Sequence, residues 1–64
     1  GTFLKGIWEP CLHAVKNDIP LDKAKDLVLK DPRVASRAKT MLGFEANIGK
    51  YTSLAFLEAE KEAF

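Results

Sequence analysis

One cysteine and one histidine are all that the 64 residues offer as soft ligands or neutral-pH bases. A lone Cys11 excludes an internal disulfide, so no cross-link can stiffen a small core. Cysteine this sparse and unpaired suits a reducing compartment, and an intracellular setting, cytoplasmic or nuclear, is expected. Long apolar runs are missing too. The longest uncharged stretch, Tyr51 to Leu57, falls far short of the roughly 20 residues a membrane-spanning helix needs. No secretory signal is visible. The chain opens on Gly instead of Met, so residues 1–64 are expected to form one helical domain of a longer protein. Excess charge is also lacking. Ten Lys or Arg against nine Asp or Glu leave +1, which steers the chain toward neither polyanions nor anionic lipid.

This scarcity bears directly on catalysis. Cys11 and His13 are two residues apart, which turns them about 160° from each other on a helix, so they cannot pair as nucleophile and base there. Cys11 falls in the middle of an apolar arc and reads as a small buried hydrophobe, whereas His13 reads as a surface residue. A zinc site needs more ligands than these. Carboxylate pairs such as Asp22 with Asp26 and Glu58 with Glu62 are neighbours on helix surfaces and read as solvated faces. No catalytic residue, metal, cofactor or small-molecule substrate is therefore expected. The stretch GFEANIGK, Gly43 to Lys50, is similar to a phosphate-binding loop in outline only. Five residues separate its glycines where four are required, Tyr51 occupies the Ser/Thr position, and no strand precedes it.

What is present is a globular balance, 47% hydrophobic and 30% charged. A chain this short buries only about 60% of the surface its unfolded form exposes, so its apolar faces must be well used or completed by a partner. At about 100° per residue, Phe3, Leu4, Ile7, Trp8, Cys11, Leu12 and Val15 fill half a helical wheel, opposite Lys5, Glu9, His13, Lys16 and Asn17. Pro10 lies on the polar side. Either the helix bends there, which the unbroken apolar arc favours, or it begins there. A turn follows at Asn17 to Pro20, with Asp18 available as a cap. The second helix runs to Lys30 with Leu21, Ala24, Leu27 and Val28 inward and Leu29 on its charged side. Asp31-Pro32 is a strong start signal for a third helix carrying Val34, Ala35, Ala38, Met41 and Leu42 inward. Gly43 ends it in the left-handed region, with Phe44 in the accompanying apolar contact. The last helix begins between Glu45 and Ser53 and packs Ile48, Tyr51, Ala55 and Ala59 inward, with Phe56 and Ala63 extending that stripe. The expected fold is all-α, a small bundle of about four short helices.

Two binding surfaces stand out. Leu54 and Leu57 lie well outside the inner stripe of the last helix, and the first helix is apolar over half its wheel. That is more apolar surface than four short helices easily bury. Trp8, at the edge of the first helix's arc, either plugs the core or anchors a partner, and Leu29 is a further candidate anchor. The sequence therefore points to a non-enzymatic protein-interaction or oligomerisation module using Trp8, Leu29, Leu54 and Leu57. Self-association and capture of a partner helix fit equally well. The alternative is a nucleic-acid-binding domain. From Lys16 to Lys39 there are seven basic and four acidic residues, whereas from Glu45 onward there are two and four. Lys30, Arg33, Arg37 and Lys39 would form a basic face on the third helix. Asp26 and Asp31 dilute it, and the third helix has no Asn or Gln to read base edges.

Overall fold

A computed structural model describes all residues, Gly1 to Phe64. It contains four helices and no strand: α1 Thr2–Lys16, α2 Leu21–Lys30, α3 Pro32–Ala35 and α4 Phe44–Ala63. The all-α expectation holds. The Cα radius of gyration, 10.9 Å, matches the roughly 11 Å of a compact chain of this length.

The apolar arc of α1 packs against each of the other three helices, most extensively against α4; α2 also meets all three, whereas α3 and α4 do not pack against each other. It runs unbroken through Pro10, so a helix starting at Pro10 is ruled out. Gly6 is what lets α3 approach. A Cβ there would stand 2.9 Å from Arg33 Cβ and 3.0 Å from Val34 Cγ2. The helix ends in a tight left-handed cap. Ile19 N–H donates to the Ala14 carbonyl (2.8 Å), Asp18 N–H to that of Val15 (3.4 Å), and Asp18 takes φ +56°. Asp18 thus closes α1 and does not cap α2, whose first turn is preceded by extended Pro20.

Asp31 behaves as its position before Pro32 implies, accepting a hydrogen bond from Arg33 N–H at 2.9 Å. The third helix is much shorter than expected. After Ala35 the backbone closes successive i→i+3 turns, Arg37 to Val34, Ala38 to Ala35 and Thr40 to Arg37. Only Val34 of the anticipated inner face is buried. Met41 is half-buried, Ala35 and Ala38 are exposed, and Leu42 is 97% exposed. The reason is packing, because a short helix persists only where an apolar face is buried, and beyond Val34 only Met41 of that face reaches the core.

Gly43 adopts φ +71°, as expected, but it does not end α3; it stands at the N-cap of α4, where its carbonyl accepts from Asn47 Nδ2 at 3.0 Å. Phe44 then turns into the core and opens α4, one residue ahead of the expected window. The core joins Ile7, Cys11 and Val15 of α1 to Val28, Val34, Phe44, Ile48 and Ala59, with Phe3, Trp8, Leu12, Met41, Ala55, Phe56 and Ala63 packed against it. On α4 the inner position assigned to Tyr51 belongs to Thr52, which is buried while Tyr51 faces outward. Thr52 tolerates burial because its hydroxyl donates to the Ile48 carbonyl at 2.7 Å.

Candidate interaction surface

Helix α4 extends through four residues at alternating spacings of three and four: Leu54, Leu57, Lys61 and Phe64, the last just past its end. These positions fall on one side of a helix. Leu54 is 57% exposed, Leu57 55% and Phe64 89%. They line a shallow depression with Glu58, Glu60 and Lys61, in which Lys61 Nζ meets Glu58 Oε1 at 3.4 Å. Glu60 and Phe64 also border a second depression, where α4 meets the α1–α2 turn at Val15, Ile19 and Pro20. Ile19 and Pro20 border a third, continued along α2 by Lys23, Asp26, Leu27 and Lys30. The apolar surface is therefore one strip that crosses from α4 over the turn to α2.

The four apolar residues singled out in the sequence are not gathered into one place. Leu54 and Leu57 share the first depression. Trp8 is half-buried against the core, and Leu29, 45% exposed on α2, lines none of the three depressions. Phe64 is the member sequence reasoning missed, although extending the Leu54–Leu57–Lys61 row by one step reaches it.

The basic residues are likewise dispersed. Lys30 ends α2, Arg33 alone lies on α3, and Arg37 and Lys39 stand in the turns that follow. Arg33 is spent on internal contacts. Its Nε and Nη2 donate to the two Asp31 carboxylate oxygens at 2.9 and 2.8 Å, and its Nη1 donates to Glu9 Oε1 at 2.6 Å. The forked hydrogen bond from Arg33 holds the Asp31 carboxyl below the usual carboxylate range, and the same bond, with that to Glu9, raises the guanidinium. Arg37 places its guanidinium carbon 5.9 Å from the centroid of the Phe3 ring.

Cys11 is fully buried, its thiol 3.6 Å from the Thr52 carbonyl, and desolvation pushes its pKa up to about 11. His13 lies on the exposed side of α1, in contact with Asn17 Nδ2 at 3.3 Å. Thiol and imidazole thus face different environments. No three His, Cys, Asp or Glu side chains converge as metal ligands, and no helix is long and apolar enough to cross a membrane. Comparison of the chain with protein-family models, curated proteins and solved structures finds no match.

Proposed function

We propose that this chain is a non-enzymatic helical interaction module that docks a protein on the outer row of α4. The observation carrying this reading is the exposure of Leu54, Leu57 and Phe64, each more than half open to solvent, along one depression. Isolated surface leucines are ordinary, but a row of three large apolar groups at helical spacing is what an amphipathic partner requires. The sequence points to both the first and the last helix; the surface proposed here keeps the α4 side, because most of the α1 arc, Leu4 excepted, is packed against its neighbours.

A nucleic-acid surface has weaker support. Arg33 is compensated by two carboxylates, which leaves Lys30, Arg37 and Lys39 as the exposed cations of that group, Arg37 lying over the Phe3 ring. Three phosphate contacts at most would give weak, salt-dependent binding.

The test is the double variant Leu54→Glu with Leu57→Glu. Both side chains are exposed, so far-UV helicity and, at about 10 μM, the denaturation midpoint should stay near wild type while association is lost. If the double variant unfolds, the two leucines belong to the core and the reading fails.

A further inference from the structure

We infer that the occupant of the strip is a second copy of this chain, docked about a two-fold axis; this rests on reading the α4 row as a docking surface. The two ends of the strip carry opposite charge. At the α4 end Glu58 and Glu60 outnumber Lys61, and at the α2 end Lys23 and Lys30 outnumber Asp26. Between them lie Phe64, Ile19 and Pro20, shared by adjoining depressions, with Glu60 at the border of the middle one. An isologous interface must match a surface to itself in reverse. A strip with a largely apolar middle, interrupted by Asp18, and opposite charges toward its ends meets that condition under a two-fold through its middle. Glu60 of each copy then faces Lys23 of the other, and Glu58 faces Lys30.

Two whole-molecule quantities agree with this. The net charge of +1 sets no long-range repulsion between copies. The accessible surface is 4434 Å², against roughly 4,100 Å² for a folded chain of 7.1 kDa. A stable interface covers about 800 Å² per partner, less than a fifth of that surface. Asp18 works against the arrangement. It lies in the middle depression, near the axis, where it faces its own copy.

The experiment is sedimentation equilibrium on the chain from about 10 μM to 1 mM, with circular dichroism on every variant. Wild type should be a monomer–dimer equilibrium. Glu60→Lys alone and Lys23→Glu alone should each weaken dimerisation by about tenfold, since two exposed attractions become repulsions. An equimolar mixture of the two variants should dimerise like wild type, because every facing pair in the mixed dimer is again opposite in sign. Asp18→Asn should tighten it. A mixture as weak as its components overturns the two-fold arrangement. If dimers survive in Leu54→Glu/Leu57→Glu, the docking reading itself falls. A wild type that stays monomeric at 1 mM overturns the second copy as occupant. The docking reading is then judged separately by Nile red, whose fluorescence must drop in the double leucine variant if that row is an open apolar face.

Discussion

Asp18 occupies a left-handed backbone position, φ +56°, which aspartate adopts only at some steric cost. The cap it forms suits glycine better. Asp18→Gly should therefore raise stability by about 0.5–1 kcal/mol, read as a higher urea midpoint at unchanged slope. An unchanged or lower midpoint would mean that the aspartate side chain contributes something the backbone geometry does not show. Two other single residues give pH-dependent predictions of opposite sign. Asp31 is held below its ordinary value, so its contribution is complete above about pH 4 and disappears as pH falls through the lowered folded value. Asp31→Asn should flatten the acid limb of a stability–pH profile between about pH 5 and 2. Cys11 is raised to about 11, so its contribution is present below the ordinary thiol value and is lost as pH climbs toward 11. The same burial makes the thiol inert. At pH 8 a disulfide reagent should label Cys11 only as fast as the chain opens, and at once in urea.

At the level of elements, the sequence separates what is locally determined from what packing decides. The Asp31-Pro32 start, the left-handed Gly43 and the inward face of α1 were legible because each follows from a residue's own stereochemistry or from a long apolar period. The length of α3 was not. Ala38, Met41 and Leu42 have the right spacing for a helix, but such a helix survives only against a covering neighbour, and of the three only Met41 reaches the core. Exchanging Tyr51 for Thr52 as the inner residue of α4 has a similar origin, since a threonine that satisfies its hydroxyl within its own helix hides its suitability for the core. Leu54 and Leu57 were legible as outward-facing, whereas their continuity with Ile19 and Leu27 depends on how α4 meets the turn. The α1–α3 contact gives a sharp elemental prediction. In an open helix Gly6→Ala would help by about 1 kcal/mol, but here the new methyl meets Arg33 Cβ at 2.9 Å, close to the α3 backbone. The clash should win, with a net loss of roughly 1–2 kcal/mol in chemical denaturation. A stabilised variant would show that α3 can withdraw from α1 freely.

For the whole molecule, stability and association are one problem. Only 12 of 64 residues are buried, and the elements are joined through α1 and α2, each of which packs against all the others. A core this small leaves apolar burial and conformational entropy nearly balanced, so apolar surface covered by the proposed second copy would contribute a sizeable share of the total. Because two-fold pairing stabilises the folded state by mass action, the thermal midpoint of wild type should climb as concentration is raised from about 10 μM to 1 mM. The midpoint of Leu54→Glu/Leu57→Glu should not move over that range. At the lowest concentration the two proteins should melt together, because those leucines are solvated in the monomer and removing them deletes little internal packing. Convergence at low concentration and divergence at high concentration is a signature that core damage cannot imitate. A core defect would lower the variant's midpoint equally at every concentration, and that pattern would return Leu54 and Leu57 to the interior.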